Sequence, residues 1–149
     1  MLSRTHFAMS LLFLIILIPH VSSPVIFSIV FLVAGLLPDI DSPMSFFGKR
    51  KIFSPIQSLV NHRGMFHSIT FAFIVALIIS LVFPVLALGF FLGYALHLVA
   101  DSFTIEGIAP FWPLGNRLSW RLKTGGIFEV IIFFVIIALD IILLLRYLS

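Results

Sequence analysis

The chain has 149 residues, 61% of them apolar and only 10% charged, against about 25% charged in an ordinary soluble domain. One small core cannot hide that much apolar surface, so a soluble globule, a disordered chain and a collagen-like repeat are all excluded. The formal charge of +3 points to membrane topology and contact with anionic headgroups; nucleic acid is disfavoured, because the basic residues form no long run.

The elements follow from apolar run length and breakers. Arg4, an apolar Phe7–Ile18 and Val21-Ser22-Ser23 look like a signal peptide, but Pro24 disfavours cleavage after Ser23. Met1–His20 is therefore taken as a retained helix. Helix one is expected over His6–Ile18, with Thr5 as N-cap and Pro19 ending it. Helix two is Pro24–Leu37, opened by one proline and stopped by Pro38. Helix three is Phe66–Phe83, helix four Pro84–Asp101 and helix five Ile127–Leu148. A 14-residue helix reaches roughly 21 Å, short of a ~30 Å hydrocarbon core, so helices one and two either extend beyond these limits or have one end recessed below the membrane surface, and the recessed site is preferred. The connection Asp39–Gly64 mixes aromatic and basic residues, and Ser42-Pro43 and Ser54-Pro55 read as starts of short interfacial helices. The connection Ser102–Gly126 carries Trp112, Arg117, Trp120, Arg121 and Lys123. The expected fold is all-α: one membrane-embedded domain over 1–149, a bundle of about five helices with short interfacial helices in the cytoplasmic loops.

Alternating the helices across a membrane brings His6, Asp39, Asp41, His62, His67, His97 and Asp101 to one face, with His20 alone in the opposite turn. The same face holds Arg4, Lys49, Arg50, Lys51, Arg63, Arg117, Arg121 and Lys123; the other holds only Arg146. This asymmetry makes the reactive face and the N-terminus cytoplasmic and the C-terminus external, in a multi-pass cytoplasmic (inner) membrane protein.

His97 and Asp101 are spaced i, i+4 and share a helix face, which suits one metal ion or an interhelical hydrogen bond. His62 and His67 would lie about 140° apart on a continuous helix. A break at Gly64 lets them converge, and the other reading is a His-Arg cluster on lipid phosphates. Asp39 and Asp41, two apart in an extended segment, point the same way. Asp41 or Ser42 could instead cap a following helix. The combination decides between these readings. Three carboxylates and four His on one face repel and perturb one another unless a cation is shared among them. The chain has no cysteine, so zinc held by N and O ligands leads, as one or two ions, with manganese or iron next. Asp39 or Asp41 suits a general base and Arg63 a substrate phosphate. Glu106, Glu129 and Asp140 have no assigned role.

These stretches also carry a family resemblance. Arg4-Thr5-His6, Gly35-Leu36-Leu37-Pro38-Asp39-Ile40-Asp41, His62-Arg63-Gly64 with His67-Ser68, Gly93-Tyr94 with His97 and Asp101, and Trp112-Pro113-Leu114 resemble the YdjM-like family. Its members are described as inner-membrane metal-dependent hydrolases and as LexA-binding. The resemblance runs to about Leu114 and implies His/Asp metal ligands in a membrane-embedded hydrolase. The His-x-x-x-Asp element is similar, more distantly, to zinc-dependent phospholipase C and P1-type nucleases. Those soluble enzymes have further His and Glu ligands downstream. Here no His follows His97, and Glu106 or Glu129 could substitute as a downstream ligand.

The expected function is hydrolysis of a phosphoester, including a phospholipid, at the cytosolic interface, with membrane lipids as partners. A divalent-metal transporter and a non-catalytic anchor for a cytosolic protein partner are the competing readings. A transporter would place its site near the midplane on repeated, broken helices, which this sequence lacks. An anchor leaves the His/Asp set without a role.

Overall fold

A computed structural model describes residues 1–42, 45, 48–54, 57 and 64–148. The helices bounded within the described residues are α1 (Ser3–Leu17), α2 (Pro24–Ala34), α3 (Ile69–Val82), α4 (Pro84–Ser102) and α5 (Ile127–Leu148). Among the described residues there is no β-strand, only isolated bridges at Thr104–Leu122 and Ile108–Leu118 that fold the α4–α5 connection back on itself. Among the described residues four stretches are long and apolar enough to cross a membrane: Ser3–His20, Pro24–Asp41, Pro84–Ser102 and Ile127–Leu148. α3 is shorter, at 14 residues, but it still runs the length of the bundle. The Met65–His67 turn precedes it at one end, and Pro84 follows it at the other, beside His20 and Ser23. The molecule is a multi-pass membrane bundle.

Helix starts and stops differ from the expected ones for local reasons. α1 begins three residues before His6, and Thr5 does not cap it. The Leu2 N–H and the Thr5 hydroxyl both donate to one oxygen of Glu129 instead, at 2.7 and 2.8 Å. A tertiary contact from α5 thus satisfies donors that a capping side chain would otherwise take. α2 stops at Ala34 rather than Leu37; Gly35 ends it, and Pro38 starts a separate 3-10 turn over Leu37–Asp41. α3 begins at Ile69 rather than Phe66, because Ser68 accepts the Phe71 N–H at 3.1 Å and the preceding Met65–His67 is a 3-10 turn of its own. The starts expected at Ser42-Pro43 and Ser54-Pro55 fall on prolines outside the described residues; a 3-10 turn lies between them at Lys51–Phe53.

α4 is the central helix, packed on α2, α3 and α1. One core lies between α3 and α4 around Ala72, Ala76, Phe90, Tyr94 and Leu98, and a second around Leu14, Phe27 and Phe31. The α2–α4 contact is close because α4 presents Gly89 and Gly93 to it, four residues apart and on one face. A β-carbon on Gly93 would stand 2.2 Å from the Phe31 carbonyl oxygen. His97 is the next residue on that face. α5 packs on α1 and leaves most of its large side chains, such as Phe134, Ile142 and Leu145, exposed to the lipid.

Candidate metal centre

Six of the seven residues expected to ligate metal meet at one end of the bundle: His6 from α1, Asp39 and Asp41 from the Leu37–Asp41 turn, His67 from the turn before α3, and His97 and Asp101 from α4. All six are buried. His62 and Arg63 lie outside the described residues. His20 is exposed at the opposite end.

Asp101 is the hub. Its Oδ1 is 3.3 Å from His6 Nε2, and its Oδ2 is 3.4 Å from His67 Nε2 and 3.7 Å from His97 Nε2. The Met1 amino nitrogen also contacts its Oδ1. Asp39 Oδ1 stands 3.7 Å from His97 Nε2, while its Oδ2 accepts a hydrogen bond from the Ser3 hydroxyl at 3.1 Å. The His6 and His97 rings stack at 3.8 Å, 9° from parallel, and His67 meets His97 edge to face at 5.5 Å.

Asp39 and Asp41 do not point the same way. The extended segment expected there is a 3-10 turn, in which residues two apart are rotated by about 120°. The consequence is a division of labour. Asp39 faces His97, while Asp41 sits with its Oδ2 3.3 Å from His67 Nδ1, on the far side of that ring from Asp101. Burial pulls the His67 imidazole down, but the Asp101 and Asp41 carboxylates on its two nitrogens outweigh burial and raise it above its ordinary value of 6.5.

His97 shows most directly what the centre is built for. Its Nδ1 is held by the Gly35 carbonyl at 2.8 Å, which fixes the proton on that nitrogen and leaves Nε2 with its lone pair. Nε2 is buried and makes no hydrogen bond among the described residues; its carboxylate neighbours are 3.7 Å away. Ligand atoms on one ion at 2.0–2.2 Å are separated by about 3 to 3.5 Å. The spacings of 3.3 to 3.7 Å found here approach that range and exceed ordinary hydrogen-bond lengths. Two sets of three ligand atoms lie within 4.8 Å of one another: His6, Asp39 and His97, and His67, His97 and Asp101. Both need the one free nitrogen of His97. Two ions would therefore have to divide the remaining ligands, with His6 and Asp39 in one set and His67 and Asp101 in the other. The residues fit a divalent ion with N and O ligands.

Glu129 is not among these ligand sets. Besides Leu2 and Thr5, it accepts the Gly125 N–H at 2.7 Å, which makes it a clasp between the start of α1 and the start of α5. Glu106 is exposed and outside the ligand sets. Asp140 is buried in α5 with no hydrogen-bond partner for either oxygen among the described residues. The sequence reading missed the Gly35 carbonyl and the Ser3 hydroxyl. The first was detectable only as a glycine spaced to end α2.

The profile of the YdjM inner membrane protein family matches residues 1–148. The chain belongs to this family. The match continues through α5, beyond Leu114 where the motif resemblance ends. Among curated proteins, "Inner membrane protein YdjM" of Escherichia coli (strain K12) is 38% identical over 97 residues, 59% of this chain and 47% of that protein. The protein of the same name from Shigella flexneri matches to the same extent. "Uncharacterized protein YvsG" of Bacillus subtilis (strain 168) is 34% identical over 106 residues, 67% of this chain and 66% of its own. The chain thus spans about half the length of the YdjM relatives it matches. No solved structure matches. The family name and the YdjM relatives' names give a membrane location and no activity.

Proposed function

We propose that this YdjM-family protein is a membrane-embedded metal-dependent hydrolase that cleaves a phosphoester at the cytosolic face. The observation carrying the proposal is His97: a buried imidazole oriented through Nδ1 by Gly35, with a bare Nε2 aimed at two carboxylates. His6, His67, His97 and Asp101, with Asp39, would hold the ion, and zinc suits this donor set best. A bound divalent ion would supply Lewis acidity to a phosphoryl oxygen and lower the pKa of a water.

The chain's own groups have separate tasks. Asp41 and the Gly35 carbonyl orient His67 and His97. Asp39 is 7% exposed, against 2% for Asp41 and none for Asp101, so it is the carboxylate best placed to take a proton from an incoming water. Water adds to phosphorus as its proton passes to Asp39, and the ester bond breaks as the leaving alkoxide takes that proton back from Asp39 and departs as the alcohol. Arg63, adjacent to His62 in the sequence, is the candidate for the substrate phosphate. Transport is less well supported, because a transporter site belongs near the bilayer midplane, whereas this cluster lies at one end of the bundle.

Metal analysis of protein purified without chelator tests the reading. One or two divalent ions per chain are expected, together with turnover of a phosphoester. A folded sample with a stoichiometry near zero overturns it.

A further inference from the structure

A cleft of about 490 Å³ lies between α1, α5 and the α4–α5 connection. That volume falls within the ~300–1,000 Å³ of typical ligand sites. Its lining is apolar apart from one side chain, Arg121. The cleft is elongated along the helices. Met9 of α1 lines it, and Met1, just before α1, lines it nearer the Asp101 end. Phe128 and Ile132 of α5 form the opposite wall.

Two further features give this cleft a polarity. At its face end, Arg121 stands next to Trp120, which is 69% exposed, in a connection that also carries Arg117 and Lys123. An indole and guanidinium pair suits the headgroup layer. On its inner wall are Met1, whose amino nitrogen contacts Asp101, and Ala100, the residue before Asp101. The cleft therefore abuts the candidate metal centre.

We infer that the cleft binds an anionic phospholipid, with an acyl chain along Met9 and Ile132 and the phosphate on Arg121. A cation at the mouth of an otherwise apolar slot complements an amphiphile with one negative group and a long tail. A soluble phosphate ester would leave the slot unfilled. That this lipid is also the substrate rests on the hydrolase reading; the binding itself does not.

The test is native mass spectrometry of the full chain in detergent, titrated with phosphatidylglycerol and, separately, with glycerol 3-phosphate. Arg121→Gln removes the cation and Ile132→Trp fills the slot, with Met9→Trp as a second filling variant should Ile132→Trp not fold. Phosphatidylglycerol retention is expected to weaken about tenfold in Arg121→Gln, the scale of a lost charged hydrogen bond, and at least as much in a folded filling variant. Glycerol 3-phosphate should not be retained. Repeating the titration on chelator-treated protein separates the two ideas, because lipid retention should survive loss of metal and activity. Wild-type retention in both variant classes, or glycerol 3-phosphate binding as well as the lipid, overturns the inference.

Discussion

Gly93 of α4 lies so close to Phe31 of α2 that a β-carbon on it would come within 2.2 Å of the Phe31 carbonyl oxygen. Four residues beyond each partner, Gly35 and His97 make the hydrogen bond that orients the imidazole. The helix contact and the ring orientation are thus one arrangement. Gly93→Ala should push α2 away, cost about 1–3 kcal/mol by overpacking and weaken metal binding about 10- to 100-fold, as losses of outer-shell partners do. Metal content against thermal stability checks this. A variant with normal affinity would show that Gly35 does not set the ring.

Removing ligands should act differently. His97→Ala and Asp101→Asn are expected to reduce bound metal to near zero while the protein still inserts. His20→Ala, at the far end of the bundle, should leave metal content at wild type. Equal damage from His20→Ala would break the one-ended site.

Metal affinity should fall with pH, beginning above 6.5. The carboxylates of Asp101 and Asp41 raise His67, so in the metal-free protein a proton competes for its ring above the usual histidine range. The loss should approach about tenfold per pH unit for each proton displaced. The metal-free fold has the opposite dependence. The paired, protonated His67 contributes stability that is fully present below about 6.5 and is lost as pH rises through its raised value. Calorimetric titrations and thermal melts, each over pH 5.5 to 8 or so, read the two slopes; parallel slopes would be inconsistent with this account.

Glu129→Ala should destabilise the α1–α5 contact by about 3 kcal/mol, since it leaves the Leu2 and Gly125 amides and the Thr5 hydroxyl without their acceptor. Limited proteolysis should then reach the start of α1 sooner than in wild type. An unchanged cleavage rate would mean that water replaces the carboxylate at no cost.

Orientation is testable with single cysteines at Lys49 and Tyr147, both exposed. The charge bias predicts that Lys49→Cys reacts from the cytosol and Tyr147→Cys from outside. Labelling from the same side would remove the odd number of crossings.

Much of this was legible in the sequence, because prolines and apolar run lengths are local signals. Pro24, Pro84 and Ile127 mark true helix starts. The i, i+4 pair His97–Asp101 fixed its own geometry, since both residues lie on one regular helix. What failed were features set by a tertiary partner or by the exact turn type. Thr5 looked like a cap, but Glu129, 124 positions away, takes its hydroxyl. Asp39 and Asp41 looked parallel, but the 3-10 turn opened by Pro38 separates them. The Gly35 carbonyl left no trace beyond the glycine that ends α2, because a backbone oxygen carries no residue signature.

The Glu129 clasp lets a helix that supplies no ligand govern the centre. Glu129 of α5 holds Leu2 and Thr5 at the start of α1, and no α5 residue is in the ligand sets found among the described residues. His6 is the neighbour of Thr5 in sequence and the α1 member of the cluster. Anything that wedges α5 away from α1, a lipid tail or another helix, would loosen the end of α1 that seats His6 and leave His67, His97 and Asp101 on their own elements. The state of the surrounding bilayer thus reaches the centre through a helix outside its ligand sets.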